Sequence, residues 1–185
     1  PWLKTQKIFL YDIANWLMVF WSDHIILSSN TAVSNYEKGI YRRLNSHYSY
    51  LPLIISDDYT DNYKKDKRQY FSYIGTIAED HAFNEFVGFV QWAIANRKLN
   101  NVTFLIATKS HIEQSDSIKE MVESGMLLIQ EGRPLSEEEI NHYYSSTLVI
   151  WNAYNRSTQS SVLVKALVFG TPALVLKKNV SEFVK

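Results

Sequence analysis

Hydroxyl and cationic side chains cluster just before a predicted helix near the end of this 185-residue chain. Thr158, Ser160 and Ser161 can donate hydroxyl hydrogen bonds, and Arg156 and Lys165 supply positive charge. The first backbone N–H groups of a helix lack intrahelical partners and carry partial positive charge, which suits an anion such as a phosphate. These residues therefore predict phosphate binding. The alternative interpretation is an ordinary crossover helix with a side-chain cap, since Ser and Thr are common caps.

The segments on either side of this cluster predict a strand, a helix and a second strand. Residues 148–151 form an apolar run of strand length, residues 162–169 repeat apolar side chains at helical spacing, and residues 173–176 are again short and apolar. Gly170 ends the helix, and Pro172 prevents its continuation. A strand–helix–strand unit implies a parallel sheet.

The same alternation of strand and helix begins at residue 69. Strands are predicted at residues 70–74, 102–107 and 126–130, and helices at residues 82–96, 117–124 and 136–145. Ser136 and Glu139 have the spacing of a capping box. The series predicts an α/β fold with a Rossmann-like, doubly wound parallel sheet. Ligands of such sheets bind at the carboxyl ends of the strands, so the loops that follow the strands are the candidate sites.

The chain before residue 69 has a different pattern. Helices are predicted at residues 4–20 and 31–44, and strands at residues 25–29 and 51–55. The first helix is interpreted as a buried amphipathic helix, with a membrane-surface helix as the alternative. Residues 57–68 are nearly all polar or charged, which indicates a solvated linker. We therefore predict a first lobe at residues 1–56, a linker at 57–68 and a Rossmann-like lobe at 69–185.

Composition narrows the functional classes. The net charge is zero, with 19 basic and 19 acidic residues, which argues against nucleic-acid binding. The chain has no cysteine, which excludes disulfides, zinc–thiolate sites and thiol catalysis. No metal cluster is visible and no cofactor is predicted. The chain begins at Pro1 without a signal-peptide pattern, so we expect a cytoplasmic fragment of a longer protein.

Several segments of the chain resemble one enzyme family. Residues 69–75, 102–107 and 128–133 resemble strands and glycine turns of the C-terminal lobe of GT-B-fold glycosyltransferases of the retaining, glycogen-synthase-like group. Lys-Ala-Leu-Val-Phe-Gly-Thr-Pro at residues 165–172 resembles that family's Glu-Ala-(two or three residues)-Gly-x-Pro signature. The resemblance implies hexosyl transfer in polysaccharide biosynthesis, from a nucleotide-sugar donor to a glycan or lipid-linked acceptor. It also allows peripheral membrane association of the full protein.

Four positions depart from the family pattern. The resemblance puts Ser157 and Lys165 where the family has two glutamates, one for the donor sugar and one for the ribose. It puts Thr76 in the slot of a diphosphate-binding Arg, directly after Gly75, and His81 at or near the slot of a Lys. Lys165 cannot accept the hydrogen bonds that a carboxylate accepts.

The sequence therefore suggests a set of donor-binding residues but no catalytic residue. The donor-binding candidates are Gly75, Thr76, His81, Arg133, Arg156, Ser157, Ser160, Ser161 and Lys165. Arg133 is a candidate for stacking on a nucleobase, because it follows a strand at the ligand edge. Two other functions stay open. One is another GT-B enzyme such as a nucleotide-sugar epimerase, which needs acid–base carboxylates and histidines in the cleft. The other is a non-catalytic, degenerate lobe that pairs with or regulates an active glycosyltransferase.

Overall fold

A computed structural model describes residues 2–51, 67–99, 101–113, 115–155 and 160–177. The chain divides into two compact units, Pro1–Leu53 and Ile54–Val184. Within the described ranges, every helix is too short or too polar to cross a bilayer.

The first unit combines helices with a two-stranded parallel sheet. Its elements are α1 (Trp2–Trp21), β1 (Ile25–Leu27), α2 (Asn30–Lys38), α3 (Tyr41–Leu44) and β2 (Tyr48–Tyr50). The two strands pair from Ile25 with Tyr48 to Leu27 with Tyr50. The side chain of Ser29 caps α2 by accepting a hydrogen bond from the amide of Ala32 at 3.0 Å.

Two predictions for this unit were wrong in part, and one strand was missed. The helix predicted at residues 31–44 is broken at Gly39, where an added Cβ would lie 2.9 Å from the carbonyl oxygen of Asn35. A strand at Tyr48–Tyr50 was not predicted, and the strand predicted at residues 51–55 lies outside the described residues except for Leu51. The helix predicted to be buried exposes 40% of Trp16 and 54% of Phe20 on its apolar face, because this small unit has too few elements to cover it.

The second unit is a five-stranded parallel sheet with helices. Its elements are β3 (Tyr70–Ile74), α4 (Phe83–Ala95), β4 (Thr103–Ala107), α5 (Asp116–Glu123), β5 (Leu127–Gln130), α6 (Glu137–Ser146), β6 (Thr147–Asn152), α7 (Ser161–Val168) and β7 (Ala173–Val175). The strand order is β5-β4-β3-β6-β7, and every neighbouring pair is parallel. The predicted α/β fold with a doubly wound parallel sheet is confirmed.

Helices cover both faces of this sheet. Successive side chains of each strand point to opposite faces, and apolar side chains occur on both. Phe71 and Tyr73 pack with Phe86 of α4 in one buried cluster, whereas Ile74 packs with Tyr144 of α6 in another. Four of the five residues of β3 are buried, as expected for the central strand of a sheet with two covered faces.

The strand order reverses between β3 and β6. From β3 the chain continues outward through β4 to β5, whereas β6 and β7 extend the sheet on the opposite side of β3. The crossovers on the two sides therefore diverge, and they leave a crevice at the carboxyl ends of β3 and β6. The helix that follows β6 ends as predicted at Gly170, whose φ of +58° closes a left-handed turn.

Candidate functional site

A cavity of about 370 Å³ lies where the strand order reverses. Residues 74–76 and 107–109 line it from the carboxyl ends of β3 and β4. Pro134, Leu135 and side chains of α6 form a second wall, and Ser161, Val162 and Lys165 of α7 form a third. The cavity therefore combines two strand ends with the start of a helix, which is where open α/β sheets bind ligands.

Gly75 turns the chain at the floor of the cavity. Its φ of +134° is strained for any residue with a side chain. A Cβ added there would lie 3.6 Å from the Tyr154 hydroxyl oxygen and 3.7 Å from Cγ2 of Val162. Glycine thus permits the turn and keeps this space open for a ligand.

His81 stacks on Tyr154 beside this turn. The two rings lie parallel within 6°, with centroids 4.2 Å apart. Nδ1 of His81 is 2.7 Å from the carbonyl oxygen of Thr76, and a carbonyl can only accept, so Nδ1 carries a proton. Nε2 then lies 3.8 Å from a carboxylate oxygen of Asp80. Burial raises the pKa of Tyr154 to about 12, so its hydroxyl stays protonated at neutral pH.

The start of α7 is open among the described residues. Ser160 occupies the N-cap position, but its side chain makes no cap hydrogen bond to the helix. Its hydroxyl oxygen instead accepts a hydrogen bond from Nδ2 of buried Asn152 at 3.1 Å. Oδ1 of Asn152 has no partner in the described part of the chain. Because the Ser160 side chain bonds to Asn152 of the sheet, it leaves the first amides of α7 without a cap from the N-cap residue.

Lys165 lies one turn further along α7 and forms an ion pair. Its Nζ is 2.5 Å from Oε1 of Glu137, the first residue of α6. Only 14% of the Lys165 side chain is exposed, compared with 60% of the Glu137 side chain. The lysine thus lines the cavity and links α7 to the first residue of α6.

The beginning of α6 is held by a second group of hydrogen bonds. Ser136 and Glu139 form the predicted capping box. Arg133 adds a two-pronged pair, with Nη1 at 2.8 Å and Nη2 at 2.5 Å from the two carboxylate oxygens of Glu139. The Arg133 hydrogen bonds, followed by the Ser136 amide, lower the pKa of Glu139 to about 2.

The structure brings together four of the nine donor-binding residues predicted from sequence. Gly75, Thr76, Ser161 and Lys165 line the cavity. Three other candidates do not line it: His81 stacks on Tyr154, Ser160 bonds to Asn152, and Arg133 pairs with Glu139. Arg156, Ser157 and Thr158 lie outside the described residues. The donor-binding roles of these residues stay predictions.

Sequence reasoning missed four residues at this site. Lys109 lines the cavity after β4, and its position after a predicted strand was the available signal. Asn152 and Tyr154 follow the apolar run predicted at residues 148–151, and both are buried. Glu137 pairs with Lys165 across 28 positions of sequence, a contact that depends on the tertiary fold.

Metal ligands are not clustered in the described part of the chain, where no group of three or more His, Asp or Glu could hold an ion. Nor does any described residue that lines the cavity carry a carboxylate or an imidazole. The chemistry offered by these walls is therefore hydrogen-bond donation and positive charge from backbone amides, hydroxyls and two lysines.

Comparison with known proteins finds similarity in structure alone. No family model and no curated protein sequence matches the chain. The structure of TarM superposes with a TM-score of 0.64 at 10% identity, over 94% of this chain and 34% of that one. A sucrose-phosphate synthase from Thermosynechococcus elongatus gives 0.58 at 14% identity, over 88% and 43%. The pneumococcal O-GlcNAc transferase GtfA, in complex with UDP and GlcNAc, gives 0.55 at 17% identity, over 84% and 30%.

These likenesses establish the fold. The chain has the architecture of GT-B glycosyltransferases, with the parallel sheet of their C-terminal domain. It spans less than half the length of each of these three proteins. At such low identities the shared fold does not transfer a substrate or a catalytic residue.

Proposed function

We propose that this chain carries the donor-binding lobe of a glycosyltransferase of the retaining, glycogen-synthase-like group. The enzyme would transfer a hexose from a nucleotide sugar to a glycan or lipid-linked acceptor in polysaccharide biosynthesis. The observation that carries the proposal is the open start of α7 in the cavity at the strand-order reversal. In the proposed division, residues 1–56 end the acceptor lobe, 57–68 link the lobes and 69–185 bind the donor.

The proposed role of the cavity is to bind the diphosphate of the donor. The first amides of α7 and the hydroxyl of Ser161 would donate to phosphate oxygens, with Lys109 and Lys165 supplying charge. When the bond between the sugar and the phosphate oxygen breaks, negative charge grows on the departing diphosphate. Donors fixed at that position stabilise the charge more in the transition state than in the ground state, which accelerates the reaction.

The cytoplasm is the proposed location, since a chain without cysteine has no disulfides to maintain. An epimerase is disfavoured, because none of the described residues that line the cavity is a carboxylate or a histidine that could move a proton.

A calorimetric titration with UDP, GDP and their sugars tests the proposal. We expect saturable binding of one nucleotide, and Lys165→Ala should weaken it roughly tenfold through loss of a charged hydrogen-bond donor. Lys119→Ala is the matched control, because Lys119 pairs with Asp116 at an exposed site on α5. If the folded chain binds none of these ligands, the proposal fails.

The second candidate is a non-catalytic lobe that pairs with an active glycosyltransferase. It is favoured by the Lys165–Glu137 ion pair, because the ammonium that a donor diphosphate would contact is already paired with a carboxylate. Binding of a nucleotide sugar with neither transfer nor hydrolysis in the full protein would support this candidate. Release of free nucleotide during turnover would support the enzyme.

A further inference from the structure

Asn152 is the last residue of β6, and it contacts Ser160, the residue that precedes α7. Its side chain is 1% exposed, and its Nδ2 donates a hydrogen bond to the hydroxyl oxygen of Ser160 at 3.1 Å. We propose that Asn152 is a positioning residue, which keeps the phosphate site open by withholding the Ser160 hydroxyl from the helix. This inference rests on the proposed binding of the diphosphate at α7.

Two amides at the start of α7 are open. The amides of Leu163 and Val164 donate to the carbonyl oxygen of Ser160 at 3.1 and 3.2 Å. The amides of Ser161 and Val162 donate to no acceptor among the described residues, and both residues line the cavity. An anion in the cavity therefore meets two unpaired donors at the positive end of the helix dipole.

The Ser160 backbone already has the conformation of a helix cap. Its φ of −113° and ψ of 117° lie in the β region, which is typical of N-cap residues. Ser136 also has a β-region backbone, and its hydroxyl accepts from the amide of Glu139 at 3.2 Å. A capping serine accepts from the second or third amide of its helix, which in α7 belong to Val162 and Leu163. A rotation of the Ser160 side chain is therefore enough to cap α7 and to compete with an anion for these amides.

The Asn152 side chain is held in place by its neighbours. Its backbone pairs with Val175 of β7 in the sheet. Burial raises the pKa of the Tyr154 hydroxyl, and a hydrogen bond with the Asn152 side chain opposes this rise. The Asn152 amide is therefore bonded on two sides, to Tyr154 and to Ser160. A donor fixed in this way loses little entropy when it holds the serine hydroxyl.

Asparagine at position 152 does not favour stability alone. Its Oδ1 is buried and has no partner within the described ranges. A buried acceptor without a hydrogen bond destabilises a protein, whereas an apolar side chain of the same shape avoids this cost. The hydroxyl that Asn152 binds therefore explains the residue better than packing does. Leucine has nearly the same shape and lacks the amide, so Asn152→Leu isolates this role.

The test is a double-mutant cycle of Asn152→Leu and Ser160→Ala, read by calorimetric titration with pyrophosphate, UDP and GDP. We expect Asn152→Leu to weaken binding roughly fivefold, because the anion must displace a cap of ordinary strength. The same substitution made in the Ser160→Ala variant should cause no further loss, since alanine cannot cap the helix. Asn152→Ala is measured in parallel, so that a poorly folded leucine variant does not decide the result.

Asn141→Leu is the matched control. Asn141 lies on α6, is also 1% exposed, and has an Oδ1 without a partner in the described part of the chain. Its replacement should not weaken binding. Amide hydrogen exchange without ligand gives a second readout, in which Asn152→Leu should slow exchange at Val162 or Leu163. Ser160→Ala should abolish that slowing, which a purely structural role of Asn152 does not predict.

Four results overturn the inference. An equal loss of affinity with and without the Ser160 hydroxyl would mean that Asn152 acts through packing or through Tyr154. Unchanged or tighter binding in both Asn152 variants, or unslowed exchange in the first turn of α7, would show that the released serine does not cap the helix. An equal loss in Asn141→Leu would make the effect unspecific. If the unmodified chain binds neither pyrophosphate nor a nucleotide, the proposed function itself fails; the other results overturn the inference alone.

Discussion

The Glu139 carboxylate accepts hydrogen bonds from two groups, a backbone amide and a guanidinium. The backbone amide of Ser136 donates to Oε2 at 2.8 Å, and Arg133 donates to both oxygens. Each of these donors stabilises the ionised carboxylate, and together they hold its pKa at about 2, below the ordinary 4.5. The same contacts fix the first turn of α6, where Glu137 stands.

A lowered pKa makes the contribution of Glu139 to stability depend on pH. The stabilisation is fully present above pH 4.5 and is lost as the pH falls through about 2, because protonation removes the acceptor. We expect Glu139→Gln to lower the urea midpoint at pH 7, and the difference from the unmodified chain to vanish near pH 2. Glu138→Gln should show no such pH-dependent difference. A gap that is constant from pH 7 to 2 would contradict the assignment.

The residues of the site were predictable where a local rule applied. Gly75 follows the end of a strand, and Ser161 begins a helix. Both positions can be predicted from the sequence alone. The contacts that join elements were not predictable in this way. Lys165 and Glu137 are 28 residues apart, and nothing in their local sequence brings them together. The turn of Ser160 towards Asn152, which leaves α7 uncapped, is likewise set by the sheet.

At the scale of elements, α4 ends in a strained turn. Arg97 has a φ of +51°, with its amide bonded to the carbonyl of Ile94, and the amide of Lys98 bonds to Ala93 at 2.8 Å. This is the Schellman arrangement, in which glycine usually occupies the left-handed position. Gly170 fills the equivalent position at the end of α7 with a φ of +58°. Arg97 lacks that freedom, because its Cβ crowds the backbone.

Replacement of Arg97 by glycine should therefore stabilise the chain. Relief of the left-handed strain is about 1–2 kcal/mol, and the greater freedom of unfolded glycine offsets part of it, so we expect a net gain of about 0.5–1 kcal/mol. Lys98→Gly is the control, because Lys98 has no positive φ and gains no relief. Chemical denaturation measures both, and a destabilised Arg97→Gly variant would refute the strain argument.

The elements themselves were largely predictable, because apolar periodicity reflects a covered face. All five strands of the second unit, and α4 to α7, fall within a few residues of the predicted positions. In the first unit α1 and β1 also lie near their predicted positions, whereas β2 was missed. Its strand β2 reads Tyr-Ser-Tyr and is partly exposed, so it lacks the apolar signal that residue 51 and those after it carry.

At the scale of the whole molecule, the cavity belongs to one unit. All of its lining residues lie between residues 74 and 165, within Ile54–Val184. The buried cluster that adjoins it joins strands β3, β4 and β6 to α6 and α7 through Ile74, Ala107, Tyr144, Ile150 and Ala166. A ligand in the cavity contacts two strand ends and two helices that share this core, so its binding energy stabilises the unit as a whole.

Amide hydrogen exchange can measure this coupling between binding and folding. At a nucleotide concentration one hundred times its dissociation constant, linkage predicts a gain of about 2.7 kcal/mol in the unfolding free energy of the unit that binds. We expect slower exchange in β3, β4 and α7, and unchanged exchange in β1 and β2, whose residues contribute nothing to the cavity. The Lys165→Ala variant at the same nucleotide concentration should show a smaller gain, because a smaller fraction is bound. Protection confined to residues 25–50 would place the nucleotide in the first unit and remove the start of α7 as the phosphate site.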